Sequence, residues 1–142
     1  MKQFYIILGS FVFLAFSCND VEKKETKSKK EYTGKPKIEF NKTAHDFGTL
    51  KEGEIVECTF LFKNIGEAPL KLLYVDADCG CTIPQYSKDE VFPGENGKIK
   101  AVFDSDGFRN NIYKTIDVET NADSTITELV ITAFIESNFN MN

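Results

Sequence analysis

The chain has no tryptophan, a single histidine, four prolines, four cysteines and no apolar run long enough for a membrane-spanning helix. Each scarcity removes a class of protein. Without tryptophan there is no core of the antibody type, which packs a Trp against an inter-sheet disulfide; the 13 phenylalanines must fill much of that space instead. With His45 as the sole histidine and no nucleophile-elbow motif, Ser-His-Asp catalysis has no constellation to work with. No CxxC occurs, and no second CxC completes a four-ligand zinc site. No helical period is sustained either. Basic residues are scarce where a nucleic acid would need them. Removing Lys2 and residues 19–36 (six Lys, four acids) from 17 basic and 22 acidic residues leaves 10 against 18 over residues 37–142, a net −8. Nucleic acid finds no basic face there.

What is present begins with MKQFYIILGSFVFLAFSCND. Lys2 precedes an uncharged, largely apolar stretch from Phe4 to Phe16, shorter than the about 20 residues of a spanning helix. A basic start, a short apolar core and then small residues describe a secretory signal peptide over residues 1–17. Leu14-Ala15-Phe16-Ser17-Cys18 resembles a bacterial lipobox, with Phe16 bulkier than the residue usual there. Cys18 would then be diacylated by palmitate-type chains, and two or more chains hold a protein at a membrane where one does not. Residues 19–36, NDVEKKETKSKKEYTGKP, hold almost nothing that could enter a core and read as a tether. As a flexible coil it spans roughly 25 Å. Its opening, Asn19-Asp20-Val21-Glu22, loosely resembles the surface-export signal of Bacteroidota lipoproteins. The expected location is the cell envelope, lipid-anchored at the outer membrane on its periplasmic or surface-exposed face.

Residues 37–142 amount to one domain. Lys37 to Phe40 alternates, and His45 to Leu50 runs into the turn Lys51-Glu52-Gly53-Glu54. Ile55 to Asn64 places Val56, Cys58, Phe60 and Phe62 on one face and Glu57, Thr59 and Lys63 on the other, the period of a half-buried strand. Leu70 to Ala77 is expected to set Leu73, Val75 and Ala77 on a common face. Further strands are expected at Lys98–Phe103, Ile112–Thr120 and Ile126–Ile135. About seven strands punctuated by turns, with no helix, give an all-β fold: a single β-sandwich.

The segments HDFGTLKEGE, FKNIGEAPLKLLYV, CGCTIP, PGENGKI and VFDSDG occur in an order and spacing that resemble the bacterial domain-of-unknown-function family 1573. That family is similar to immunoglobulin-like domains of the Hydin and major-sperm-protein kind. The resemblance covers about residues 38–136 and implies an immunoglobulin-like sandwich. It implies no activity.

With Cys18 set aside, Cys58, Cys79 and Cys81 remain, and one intramolecular disulfide is the most they can form. Four arrangements compete. Cys58 can bridge to Cys79 or Cys81 across the core, closing a loop of about 20 residues for roughly 3 kcal/mol. Cys79 can bridge to Cys81 if the chain bends at Gly80, because an extended strand holds their Cα atoms near the upper limit of about 6.8 Å. Two or three thiolates, with His45 as a weak further ligand, would suit Cu(I) or Zn(II). Lastly, all three can be inert buried thiols. The leading expectation is a bridge or packing role involving Cys58.

Other motifs carry less. Asp104-Ser105-Asp106-Gly107 opens like a calcium loop, but Phe108 and Thr115 stand where ligands belong, so a turn is expected. Asp76 and Asp78 read as solvent-facing rather than as an acid–base pair. Asp123-Ser124-Thr125 matches a short O-glycosylation motif of Bacteroidota, making Ser124 a candidate sugar site. Together these readings point to a non-enzymatic, lipid-anchored envelope protein without a cofactor. Its domain would bind or scaffold another envelope protein through loops or a sheet edge. The alternative is metal or redox handling by Cys79 and Cys81.

Overall fold

The computed structural model describes residues 31–122 and 126–136. Eight strands follow in chain order: β1 (Ile38–Phe40), β2 (Ala44–Lys51), β3 (Ile55–Asn64), β4 (Leu72–Ala77), β5 (Thr82–Tyr86), β6 (Asn96–Asp104), β7 (Asn110–Thr120) and β8 (Thr127–Glu136). They form two four-stranded sheets, sheet I in the order β1-β3-β6-β5 and sheet II in the order β2-β8-β7-β4. Every pairing is antiparallel except β2 with β8. The chain changes sheets within Asn41–Thr43, where the Asn41 amide donates to Leu61 of sheet I and Thr43 O accepts from Val130 of sheet II.

The alternation in β3 does what period two requires: Cys58, Phe60 and Phe62 are buried and Glu57, Thr59, Leu61 and Lys63 exposed. Across the ladder, Ile99, Ala101 and Phe103 of β6 lie on the same inward face. Sheet II answers with Ile116, Val118, Leu129, Ile131 and Ile135, all essentially fully buried. Gly97 lies opposite Phe62, and a Cβ there would run into the Phe62 ring. The glycine thus lets a large ring reach the ladder's end.

Two expectations change. β5 was not among the anticipated strands, because Pro84 breaks a strand pattern; it is tolerated where β5 is the edge of sheet I. Leu73 does not share an inward face with Val75 and Ala77. A register shift between Leu72 and Tyr74 turns it out, leaving it 56% exposed.

Two buried polar side chains brace the ends. Asn64 is fully buried; its Nδ2 donates to Ala68 O and Val91 O (both 2.8 Å) and its Oδ1 accepts from Gly66 N (2.9 Å). Ser105 Oγ donates to Lys51 O (2.9 Å) and accepts from Glu54 N (2.8 Å), tying the Asp104–Gly107 turn to the β2–β3 turn. That segment is a turn, as expected, with Gly107 at φ 75°.

Candidate functional site

The Cys79-Gly80-Cys81 segment is where the chain leaves sheet II at β4 and enters sheet I at β5. Both sheets hold it: Asp78 N donates to Thr115 O (3.1 Å) and Asp104 N to Cys81 O (3.0 Å). The bend brings the Cα atoms of Cys79 and Cys81 to 5.2 Å, and the two are joined as a disulfide. Both cysteines are half-buried.

Among the described residues Cys58 is the free thiol, which corrects the expectation of a bridge to it and leaves its packing role. Sheet geometry supplies the reason. Cys58 is level with Ala101 of β6, whereas Cys81 is level with Asp104, and two inter-strand steps separate β3 from β5. Three residues along and two strands across are roughly 10 Å in each direction, beyond any disulfide's reach. Burial pushes the Cys58 thiol up to about 11, against a smaller opposing pull from Lys42. It packs in the core as a small hydrophobe.

His45 lies on β2, at the opposite edge of sheet II from β4, so the structure does not bring it to Cys79 and Cys81. Lys42 Nζ donates to its Nδ1 at 2.8 Å, and its ring meets Phe47 edge-on at 4.6 Å. Burial first, then the Lys42 charge, lower its pKa, with Asp46 only partly opposing them. Among the described residues no three His, Cys, Asp or Glu side chains are placed to hold a metal. Asp76 accepts a hydrogen bond from Tyr74 Oη (2.7 Å), and Asp76 and Asp78 are both exposed, facing solvent as expected. Cys18 and Ser124 lie outside the described residues.

A feature that motif reading missed lies on the outer face of sheet II. A groove of about 550 Å³ is lined by Asp46, Thr49, Asn111, Tyr113, Thr132 and Phe134, among others. Tyr113 pairs with Thr132 and Asn111 with Phe134 across the β7–β8 ladder, while Asp46 and Thr49 of β2 flank the same two β8 residues. Tyr113 is 61% and Phe134 42% exposed. Asp46 Oδ1 accepts from Thr132 Oγ1 (3.1 Å) and Gly48 N (3.0 Å). Two backbone irregularities border the groove: the β2 register shift between Asp46 and Thr49, with Gly48 at φ 71°, and Asn110 at φ 63°. The sequence signal is the β7 alternation: with Ile112, Ile116 and Val118 inside, Tyr113 must point out.

Comparisons with known proteins agree with this architecture. A structure of a protein of unknown function from Porphyromonas gingivalis W83 matches with a TM-score of 0.61 at 21% identity, over 70% of this chain and 46% of that one. The human CEP192 ASH/PapD-like domain matches with a TM-score of 0.56 at 16% identity, over 74% of this chain and 89% of that one. The secreted serine protease VesC from Vibrio cholerae matches with a TM-score of 0.55 at 10% identity, over 69% of this chain and 23% of that one. At these identities the likenesses establish an immunoglobulin-like sandwich and nothing of activity. This chain spans less than half of the Porphyromonas protein and about a quarter of the protease. No curated protein matches the sequence. The model of the family described as "Protein of unknown function (DUF1573)" matches residues 38–135, nearly the whole sandwich, and the chain belongs to that family.

Proposed function

We propose that the protein is a non-enzymatic binding module of the cell envelope, anchored through acylated Cys18 and held off the membrane by the charged segment that starts at Asn19, whose far end is bonded to the sandwich, Lys35 O accepting from Glu67 N (2.9 Å). The observation that carries the binding role is the groove on sheet II, where Tyr113 and Phe134 stand in solvent on the sheet's outer face. Exposed aromatics grouped beside a concavity mark recognition surfaces more often than scattered apolar residues do. Face recognition is favoured over edge pairing, because every sheet edge is blunted. β1 is three residues long, β5 carries Pro84, and β2 and β4 each contain a register shift.

The anchor has a direct test. Cys18→Ala should move the protein from the membrane to the soluble fraction, and a variant that stayed membrane-bound would refute the acylation.

A second reading, redox handling by Cys79 and Cys81, rests on one observation: a half-buried bridge between residues two apart. Closing so small a ring constrains the unfolded chain by only about 1.5 kcal/mol, below the roughly 2–4 kcal/mol of a typical disulfide. Stepwise dithiothreitol, quenched with iodoacetamide, distinguishes the roles. Opening of the bridge with the circular dichroism unchanged supports redox use. Opening only with unfolding makes the bridge structural.

A further inference from the structure

We propose that the sheet II groove is a binding site for a neutral carbohydrate, stacked on Tyr113 and Phe134; this rests on the binding-module reading above. A pyranose ring has a face of C–H bonds and a rim of hydroxyls. The first packs on aromatic rings and the second needs amide, hydroxyl and carboxylate partners. Tyr113 and Phe134 are diagonal neighbours on adjacent strands, roughly 7–8 Å apart, so one oligosaccharide can lie over both. Asn111, Thr132, Thr49 and Asp46 surround them with both donors and acceptors. Asp46 uses Oδ1 for both of its hydrogen bonds, and Oδ2 makes none among the described residues. The shift at Asp46–Thr49 is a bulge of the kind that re-aims side chains beside binding sites.

Charge narrows the ligand further. No lysine or arginine lines the groove among the described residues, so a phosphate or sulfate group has no counter-charge. Toward β4 the same outer face carries Asp76, Asp117, Glu119 and Glu128, all exposed, with Asp117 directly opposite both Asp76 and Glu128. Those carboxylates repel polyanions. They also oppose a second copy of this chain stacking face to face, which would set like charges against one another. A protein partner is less well matched: apart from two rings the groove is lined mainly by small polar side chains, without the arginine and methionine that enrich protein interfaces. A neutral, polyhydroxylated ligand fits every one of these features.

The test uses the full chain, solubilised in a detergent without a sugar head group. Calorimetry is run against cellohexaose, xylohexaose, mannohexaose, maltohexaose and chitohexaose. The chain contains no tryptophan, so its emission comes from five tyrosines, and a ligand-induced change that is lost in Tyr113→Phe reports on Tyr113 in parallel. At least one hexaose should bind. Tyr113→Ala and Phe134→Ala should each weaken it by about tenfold or more, the loss of one stacking partner, while Tyr113→Phe keeps it within about threefold. Ile83→Ala, an exposed change on sheet I, should leave binding unchanged.

The proposal is overturned if no hexaose binds, or if binding survives both alanine variants. In the second case the protein remains a binding module and the site alone is wrong. A photo-crosslinker at position 113 resolves the first case. Capture of an envelope protein, or of a second copy, assigns the face to that partner and refutes the sugar; no capture at all refutes the binding reading too.

Discussion

Sheet I carries five phenylalanine or tyrosine residues in its strands, and Phe60, Phe62 and Phe103 are buried while Phe40 and Tyr86 pack against the core. Sheet II carries four, and only Phe47 packs inward; Tyr74, Tyr113 and Phe134 are exposed. The inward face of sheet II is aliphatic instead, built from Ile112, Ile116, Val118, Leu129, Ile131 and Ile135. Rings that cross the sandwich from one side only leave slender side chains to fit against them from the other, as close packing demands. The three outward aromatics of sheet II, Tyr74, Tyr113 and Phe134, are therefore surplus to the core. Two of them line the groove.

The comparison breaks first at the core rings. Phe103→Ala removes a fully buried side chain from sheet I and should cost about 3–5 kcal/mol in urea unfolding. A loss below about 1 kcal/mol would mean that sheet I does not hold the fold as described. Two asparagines sharpen the contrast at the sandwich end. Asn64 of sheet I, fully buried, donates to Ala68 O and Val91 O; Asn121, exposed after β7, donates to Pro69 O and accepts from Lys71 N. Asn64→Ala strands buried partners and should cost about 2–3 kcal/mol, against under about 1 kcal/mol for Asn121→Ala. Equal losses would show that burial is not what makes Asn64 matter.

Cys58 gives the next effect. Its thiol ionises near 9.0 when unfolded and near 11 when folded, so the folded chain holds the proton more tightly. The stabilising contribution is present below pH 9 and declines as pH rises toward 11, by up to about 2 kcal/mol. Cys58→Ala should remove that part of the alkaline slope. Identical slopes in the two proteins would mean the thiol is not buried as placed.

How much of this was legible depended on the range of the interactions involved. β3 was readable residue for residue, because ten positions of strict alternation carry their own evidence. β5 was hidden by Pro84, whose tolerance depends on being at an edge, a fact about neighbours rather than about the segment. Leu73 was misplaced because a single register shift reverses every face beyond it. The cysteine pairing was open for the same reason: the distance from Cys58 to Cys81 follows from strand order, which alternation does not specify. The groove was missed because it is shared by β2, β7 and β8, strands that are distant in sequence. Its aromatic members were visible singly but not as a group.

The central claim is that the outward rings of sheet II serve recognition and not the fold. Its most direct test is urea unfolding of the Tyr113→Ala/Phe134→Ala double variant beside Phe103→Ala. The account predicts that the double variant stays within about 1 kcal/mol of the parent, as exposed positions do, while Phe103→Ala loses several. A double variant that lost as much as Phe103→Ala would make those rings part of the core and contradict the account.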